Sequence, residues 1–497
     1  MLYFFLGLAL LVLGYYTYGR YIEKILAPDD RKTPAVANYD GVDFVTLPHW
    51  KNMLIQLLNI AGVGPVIGVI LGIKFGDIVF LIIPVGNILA GATHDMLSGM
   101  MSMRHGGTNL PALIRQNLGN AYYKFFSWFT ILLLLLVVAV FINVPANLID
   151  KAFPQYEIFW LTVGAIFLYY IVATLFPVDK IIGKIYPFFG LMLLVGTVSV
   201  FVSICMHLVS NPDLLSETPK FAEMKWCAEN GHPIVPLLFV TIACGIISGF
   251  HATQSPIVAR TVASEKQARS TFYGMMVLEG LIAMIWAAAG LAVYNLVPEY
   301  FAKSPTDVLI YVTQHFLGSW MGVVTVFAVV ILAITSGDTA MRSARLSIAE
   351  MFGVEQKPIL NRFLTTVPLI LLTVGLLAWS QISVETFNNL WNYFAWGNQV
   401  LAASTLLAAS VWLFRLSKNG YVALLPGMFM AFIVLSYILW ISPHHGGPLG
   451  FGLDLALAYG IGGALTITLA AWVFIRAKKA AKPQCEPTCE QSAPEED

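Results

Sequence analysis

Thirteen runs of mostly apolar residues, each long enough to cross a bilayer, dominate this sequence. A membrane-spanning helix needs about 20 such residues, since its backbone groups must be hydrogen-bonded within the helix. The approximate runs are 2–19, 53–73, 77–103, 123–143, 157–176, 185–209, 234–253, 272–296, 318–337, 364–382, 388–413, 420–441 and 453–475. Only 11% of the residues are charged. The sequence therefore predicts an all-α polytopic membrane protein with about thirteen transmembrane helices.

Positive charges fall mainly in alternate loops between these runs. Cytoplasmic loops of membrane proteins hold the excess of Lys and Arg. If the N-terminus lies outside, the inner segments contain 23 Lys and Arg residues and the outer loops contain five. The predicted orientation is therefore N-terminus outside and C-terminus in the cytoplasm. Lys plus Arg (28) equals Asp plus Glu (28), so the overall charge does not favour nucleic acid as a partner.

Two of the runs contain helix-breaking residues at membrane depth. The second run has Gly62, Gly64 and Pro65 near its middle, and the seventh has a polar stretch from Gly245 to Pro256. Proline removes a hydrogen-bond donor and glycine permits unwound backbone. Interrupted helices at corresponding places in two halves indicate a transporter binding site. The alternative is a simple kink or close helix packing through small residues.

The spacing of the two breaks predicts an inverted repeat. Runs two to six and runs seven to eleven each form a set of five, and each set begins with the interrupted run. Because five is odd, the second set enters the membrane from the opposite side. The predicted divisions are a leading helix and cytoplasmic loop (1–52), a first repeat (53–209), an outer loop (210–233), a second repeat (234–413), two trailing helices (414–476) and a disordered cytoplasmic tail (477–497).

Few ionisable residues lie within the runs. Such groups are costly in a membrane and mark substrate or ion paths. They are His94 and Asp95 in the third run, His251 in the seventh, Glu279 in the eighth and Asp338 just after the ninth. His94 and Asp95 predict either a proton relay or substrate contact, or a buried pair that locks helix packing.

Hydroxyl and amide groups supply further candidates. Thr335 and Ser336 with Asp338 offer oxygen ligands for a hard cation, or else they cap the ninth helix at the inner membrane edge. Asn398 and Gln399 in the eleventh run either bond neighbouring helices or contact substrate.

These patterns yield two sets of candidate residues. The predicted substrate-binding residues are Gly62, Gly64, Pro65, His94, Asp95, Gly249, His251, Thr253, Gln254, Ser255, Asn398 and Gln399. The predicted residues for ion or proton coupling are Asp95, Glu279, Thr335, Ser336 and Asp338. No cofactor is expected. Whether the scattered histidines, or Cys485 and Cys489 in the tail, bind a metal stays open, as does the role of Cys227.

Several motifs of this chain form a recognisable series. They are Asp40-Gly41-Val42-Asp43-Phe44-Val45, Ile60-Ala61-Gly62-Val63-Gly64-Pro65, Ala90-Gly91-Ala92-Thr93-His94-Asp95, Cys244-Gly245-Ile246-Ile247-Ser248-Gly249-Phe250-His251-Ala252, Gly337-Asp338-Thr339-Ala340-Met341-Arg342 and Asn398-Gln399-Val400-Leu401-Ala402-Ala403. The series resembles the carbon starvation protein family, CstA, known as peptide and pyruvate transporters.

The resemblance implies a LeuT-like fold and a multi-pass protein of the bacterial plasma (inner) membrane. In LeuT-type folds a cation site pairs hydroxyls on the third helix of the second repeat with carbonyls of the first interrupted helix. That implication places Thr335 and Ser336 near Ile60 to Val63. The chain is much shorter than the longer members of the family, so the fold carries over better than the substrate.

A secondary transporter fits these features better than a channel or a membrane enzyme. A channel needs a continuous polar stripe or charged rings, whereas the polar groups here gather around the two breaks. A membrane enzyme needs a clustered nucleophile and base or a ligand set, and the sequence has no HExxH motif, no Gly-x-Ser-x-Gly elbow and no Walker loop. We expect import of a small carboxylate-bearing solute, a short peptide or pyruvate, with a proton rather than sodium. An amino-acid symporter of the same fold is the alternative, and the oligomeric state stays open.

Overall fold

The computed structural model describes residues 1–175, 178–216 and 233–479. Within these ranges the chain forms helices and contains no β-strand. The outer-loop residues Trp226 and Cys227, and the tail with Cys485 and Cys489, lie outside the described residues. The last helix extends to Lys479, which is three residues into the predicted tail.

Among the described residues up to 216, the chain forms eleven α-helices with short π and 3-10 turns between them. They are α1 (Leu2–Tyr16), α2 (Tyr18–Leu26), α3 (Pro34–Ala37), α4 (His49–Ile60), a π turn (Gly64–Gly68), α5 (Val69–Gly72), a 3-10 turn (Ile73–Phe75), α6 (Val79–Gly86), a π turn (Asn87–Gly91), α7 (Ala92–Arg104), α8 (Leu110–Leu118), α9 (Asn120–Ala152), α10 (Phe159–Leu175), α11 (Val178–Ser210) and a 3-10 turn (Pro212–Leu215).

The second half begins at Ile234 and contains nine α-helices in the described residues. They are α12 (Ile234–Thr241), α13 (Ala243–Ile246), α14 (Gly249–Ala259), a 3-10 turn (Glu265–Gln267), a π turn (Arg269–Tyr273), α15 (Gly274–Leu296), a 3-10 turn (Pro298–Ala302), α16 (Pro305–Phe352), α17 (Ile359–Ser380), α18 (Val384–Arg415), α19 (Tyr421–Trp440), a 3-10 turn (Pro443–His445) and α20 (Leu455–Lys479).

All thirteen predicted runs contain helix. In the described residues, ten helical stretches are long and apolar enough to cross a membrane, and a bent pair adds an eleventh. The remaining two runs correspond to α10, which is a shorter apolar helix, and to the chain of short helices α12, α13 and α14. The prediction of an all-helical membrane protein is confirmed.

The first interrupted run is bent at the predicted glycines and proline. Helix α4 ends at Ile60, and helical backbone resumes at Gly64 with Pro65 in the first π turn. The two parts meet at 55°. Proline has no N–H to donate, so the turn that contains Pro65 cannot continue the regular α-helical hydrogen bonding.

The seventh run is also divided. Helix α13 ends at Ile246, Ile247 and Ser248 have extended backbone, and α14 begins at Gly249. This break leaves the first amides of α14 and the last carbonyls of α13 without the usual helical partners. The Asn87 side chain supplies one replacement, because its Nδ2 donates to the Gly245 carbonyl at 3.3 Å.

The ninth run differs most from the prediction. Its helix, α16, has 48 residues and passes through a kink at Gly318 before it ends at Phe352. Thr335, Ser336 and Asp338 therefore lie well inside a helix that continues to Phe352, so the alternative that they cap the ninth helix is wrong. Helix α16 ends only where Gly353 adopts the left-handed conformation that is common just after a helix C-terminus. Helices α9, α10 and α11 pack along α16.

Candidate functional site

Helices α7 and α14 place matching polar residues on facing surfaces. Asp95 and Ser98 are three residues apart on α7, and His251 and Ser255 are four residues apart on α14, so each pair occupies one helix face. His251 Nδ1 lies 3.0 Å from Asp95 Oδ2, and the hydroxyls of Ser98 and Ser255 are 2.8 Å apart. The two contacts hold α14 against α7 next to the second break.

Four ionisable side chains continue this contact into a buried chain, which we call the central chain: His94, Asp95, His251 and Glu279. His94 Nδ1 lies 2.8 Å from Asp95 Oδ1, so Asp95 bridges two imidazole rings. The other ring nitrogen of His251, Nε2, lies 3.6 Å from Glu279 Oε2 on α15. None of the four is more than 1% exposed. The structure therefore brings together four of the five ionisable residues that the sequence singled out.

The ends of the central chain have unused hydrogen-bonding capacity. His94 Nε2 and both carboxylate oxygens of Glu279 have no hydrogen-bond partner among the described residues. A buried polar atom without a partner costs about 1–3 kcal/mol. Two imidazoles and two carboxylates in a row can pass a proton along, because imidazole gains and loses protons near neutral pH.

Buried carboxamides border the same breaks. Gln254 on α14 donates from Nε2 to the Asn59 carbonyl at 3.0 Å, in the last turn of α4 before the first break. The side-chain amides of Asn59, Gln56 and Asn398 have neither their donor nor their acceptor atom satisfied in the described structure. Unpaired buried amides are rare in folded proteins, and they commonly bond a water molecule or an ion.

The remaining polar candidates of this region are more fully engaged. Gln399 Nε2 donates to the Phe239 carbonyl at 2.6 Å, and only its Oε1 lacks a partner. The Thr253 hydroxyl donates to the Phe250 carbonyl of its own helix at 2.6 Å. The Gln399 bond joins α18 to α12, as expected for a residue that holds helices together, whereas the Thr253 bond stays within α14.

The candidate glycines lie where other parts of the chain approach closely. A Cβ at Gly249 would lie 2.2 Å from the Asn398 carbonyl oxygen and 2.3 Å from the Ala402 nitrogen. A Cβ at Gly64 would lie 2.3 Å from the Cys244 side chain. A Cβ at Gly62 would lie 2.7 Å from the Phe141 ring and 3.2 Å from Ser336 Oγ. These glycines let the interrupted helices pack against each other and against α9, α16 and α18.

The hydroxyl pair on α16 reaches the first interrupted helix. Thr335 Oγ1 and Ser336 Oγ donate to the Leu58 carbonyl at 3.0 and 3.3 Å. This contact lies two residues before the expected Ile60. Asp338, one turn further along α16, accepts a hydrogen bond from the Tyr169 hydroxyl at 2.7 Å. Asp338 is thus the one ionisable candidate that the described contacts keep separate from the central chain.

A second buried ionic group surrounds Asp43, in the loop before α4, and we call it the Asp43 cluster: Asp43, Arg260, Arg342 and Arg345. Asp43 Oδ1 lies 3.4 Å from Arg342 Nη1 and 3.9 Å from Arg345 Nη2. Burial opposes ionisation of Asp43, but the charges of Arg345, Arg342 and Arg260 outweigh it and hold the pKa of this carboxyl below its ordinary value. Arg260 donates from Nε to the Gly107 carbonyl at 2.8 Å and lies over the Phe44 ring.

Gln56, Asn59, Asn87 and the Asp43 cluster were not among the site residues predicted from the sequence. Gln56 and Asn59 carried a signal, since two amides three residues apart lie directly before the first break. Asp43 carried one too, as an acidic residue in the Asp40 to Val45 motif. Asn87 carried no signal, because its bonds to the Gly245 and Met276 carbonyls depend on the packing of three separate segments.

The chain offers no metal centre in the part that the structure describes. No group of three or more His, Cys, Asp or Glu side chains there is arranged to hold an ion. The question about Cys227, Cys485 and Cys489 concerns residues outside that part.

Comparison with solved structures identifies the fold. The chain is similar to a manganese transporter from Eremococcus coleocola, with a TM-score of 0.59 and 16% identity over 88% of this chain and 99% of that one. It is also similar to MhsT in complex with L-phenylalanine, with a TM-score of 0.55 and 12% identity over 87% and 99% of the two chains. At these identities the likeness shows the fold, which is the LeuT-like transporter fold.

The chain belongs to the carbon starvation protein CstA family, whose model matches residues 1–168, 152–315 and 298–437. An uncharacterized membrane protein of Haemophilus influenzae is 39% identical over 59% of this chain and 92% of its own length. The peptide transporter CstA of Escherichia coli is 25% identical over 86% of this chain and 78% of its own. The pyruvate/proton symporter BtsT of Escherichia coli is 26% identical over 55% and 46%. The family resemblance seen in the sequence is confirmed.

Proposed function

We propose that this protein is a secondary active transporter that imports a small carboxylate-bearing nutrient, a short peptide or pyruvate, together with a proton. The observation that carries the proposal is the central chain, fully buried beside the second helix break. Ionisable groups at membrane depth are kept at a cost and are characteristic of proton and substrate paths. The names of the relatives, peptide transporter and pyruvate/proton symporter, support the same solutes and the same coupling ion.

Recognition of the solute is proposed to take place between the two breaks. A carboxylate needs hydrogen-bond donors, and the first amides of α14, at Gly249, carry the positive end of a helix dipole. The amide groups of Asn59 and Asn398 border this helix with unsatisfied donors. Pyruvate and peptides both present a carboxylate, so this chemistry accepts either.

Proton coupling is proposed to run through Glu279, His251 and Asp95. A proton added to this group would neutralise one carboxylate, and its loss would restore the charge and change the attraction between α14 and its neighbours. Such a change alters the relative free energy of two transporter conformations, as a coupling ion must.

Sodium is the second candidate, and it is favoured by one observation. Thr335 and Ser336 direct their hydroxyls to the Leu58 carbonyl, which brings together three oxygen atoms of the kind that hard cations prefer. We place the proton first because the central chain contains four titratable groups, whereas the hydroxyls already donate to that carbonyl.

The proposed topology has two five-helix repeats of opposite orientation, with the N-terminus outside and the C-terminus in the cytoplasm. An impermeant thiol reagent applied to intact cells should leave Cys485 and Cys489 unlabelled and label them after permeabilisation. Labelling of Cys485 or Cys489 in intact cells would contradict this orientation.

Radiolabelled uptake into proteoliposomes tests the function directly. We expect an inward pH gradient to drive accumulation of pyruvate or of di- and tripeptides above the level in protein-free vesicles, with free amino acids as the comparison set. A matched variant, Glu279→Gln, keeps the shape of the side chain and removes its charge, and it should abolish accumulation while leaving the protein folded. A folded protein that accumulates none of these solutes would contradict the proposal.

A further inference from the structure

Arg345, in the Asp43 cluster, is a buried guanidinium whose donors are only partly used. Its side chain is 0% exposed, and Nη1 donates to Gln356 Oε1. Its Nε and Nη2 have no hydrogen-bond acceptor among the described residues. Buried charged donors are normally satisfied, because an unmade hydrogen bond in a dry environment is costly.

The nearest carboxylate satisfies Arg345 only in part. Asp43 Oδ1 lies 3.9 Å from Arg345 Nη2, which is beyond hydrogen-bonding distance, and the same oxygen lies 3.4 Å from Arg342 Nη1. The same carboxylate oxygen thus pairs with two guanidinium groups. The three carboxylates of α16 itself are engaged elsewhere, since Asp307 pairs with Lys151, Asp338 accepts from Tyr169 and Glu350 accepts from Asn109.

The two unsatisfied donors form one edge of the guanidinium group. Nε and Nη2 point in parallel, at the spacing of the two oxygens of a carboxylate, and this edge is the one that binds carboxylates with two hydrogen bonds. We propose that the Nε and Nη2 edge of Arg345 is a second binding site for the carboxylate of a small organic acid or peptide, and that Asp43 competes with this ligand for the same arginine.

The position of Asp43 connects this site to both interrupted helices. Its loop leads into α4, and the Val45 and Leu47 amides donate to the carbonyls of Arg260 and Thr261, directly after α14. A carboxylate that displaces Asp43 would therefore loosen the loop that joins α4 to the end of α14. If the transport proposal holds, that carboxylate is the solute on its way out of the protein.

Equilibrium binding of radiolabelled pyruvate to the purified full-length protein in detergent tests the site, with acetate as a competitor that carries the carboxylate alone. We expect Asp43→Asn to bind two pyruvates per chain, and Asp43→Asn/Arg345→Lys to bind one. Lysine keeps the charge but loses the paired donors, which should weaken this site about a hundredfold, so that it stays largely empty at a pyruvate concentration that just fills it in Asp43→Asn. Asp43→Asn/Arg415→Lys is the matched control and should still bind two, since Arg415 bonds backbone carbonyls of α8 outside the cluster.

The number of pyruvate molecules bound per chain distinguishes this proposal from the transport proposal. Equal binding by Asp43→Asn and Asp43→Asn/Arg345→Lys would overturn the Arg345 site. If the central site binds no pyruvate, the two variants should instead bind one and none. If Asp43→Asn does not fold, the same comparison is made between the wild type and Arg345→Lys at a pyruvate concentration that just fills both sites of the wild type, with two and one expected. Acetate should displace pyruvate from the Arg345 site, because that site contacts the carboxylate alone, and failure to displace it would also overturn the proposal.

Discussion

The central chain and the Asp43 cluster are both buried ionic groups, but they are built from different side chains. The central chain combines two imidazoles with two carboxylates, all of which exist in neutral and charged forms. The Asp43 cluster combines one carboxylate with three arginines, and arginine keeps its charge under all conditions that a protein meets. Only the first can change its charge by exchanging protons with the solvent on the two sides of a membrane.

This difference assigns the two regions to different tasks. A group that changes its charge is suited to coupling, because the proton alters the attraction between α7, α14 and α15. A group of fixed positive charge is suited to holding a carboxylate, whether that of Asp43 or that of a ligand. The variants below test whether one region can lose its charge while the other region keeps its task.

The largest effect is expected from Asp95→Asn. Asp95 bridges His94 and His251, so its loss as a charged acceptor interrupts the central chain. We expect pH-gradient-driven uptake to fall about 1,000-fold, within the range that positioned acid and base groups contribute to a rate. Ser98→Ala removes the neighbouring contact of the same two helices without touching an ionisable group and should cost much less. Equal losses in both variants would mean that packing, not charge, matters here.

Asp43→Ala should lower stability rather than coupling. Removing one partner of a buried ion pair leaves uncompensated charge, which we expect to cost about 3 kcal/mol and to lower the Tm. Added pyruvate should restore part of the lost Tm by binding Arg345. Asp30→Ala is the control, since Asp30 pairs with Lys266 at the surface and exposed pairs contribute little. An unchanged Tm in Asp43→Ala would show that the Asp43 cluster does not stabilise the protein.

A smaller effect is expected from Gly249→Ala, which tests the packing that both regions share. The added Cβ would lie 2.2 Å from the Asn398 carbonyl oxygen, a clash with rigid backbone. Such overpacking costs about 1–3 kcal/mol, and the Tm should fall accordingly. Gly375→Ala on α17 meets no atom within 4 Å and should leave the Tm unchanged. If both variants behave alike, the close approach of α14 and α18 does not require glycine.

The smallest effect should come from Thr335→Ala and Ser336→Ala. Each removes a hydroxyl that donates to the Leu58 carbonyl and neither belongs to the central chain. A single neutral hydrogen bond contributes about 1 kcal/mol, so proton-driven uptake should change by less than roughly tenfold. Collapse of uptake in these two variants, with Asp95→Asn still active, would move the coupling site from the central chain to a sodium site.

The sequence predicted the broad architecture because it depends on local composition. Apolar runs, the Lys and Arg loops and the two breaks, at Gly62 to Pro65 and within the polar stretch from Gly245 to Pro256, are all visible along the chain. The buried ionisable residues were also visible, since charge within an apolar run is rare. The sequence could not show that Glu279 belongs with His251 while Asp338 belongs with Tyr169, because that depends on how distant helices pack. It could not show that α16 continues to Phe352, because hydropathy falls at Asp338 and the apolar run ends there.

Measuring proton movement during solute entry is the most direct test of proton coupling through the central chain. Proteoliposomes that enclose a pH-sensitive dye, in sodium-free buffer, would receive pyruvate or a dipeptide from outside. We expect solute entry to acidify the interior in the wild type, and Glu279→Gln to show neither solute entry nor acidification. Solute entry without acidification, or entry that requires sodium and ignores the pH gradient, would contradict proton coupling through the central chain.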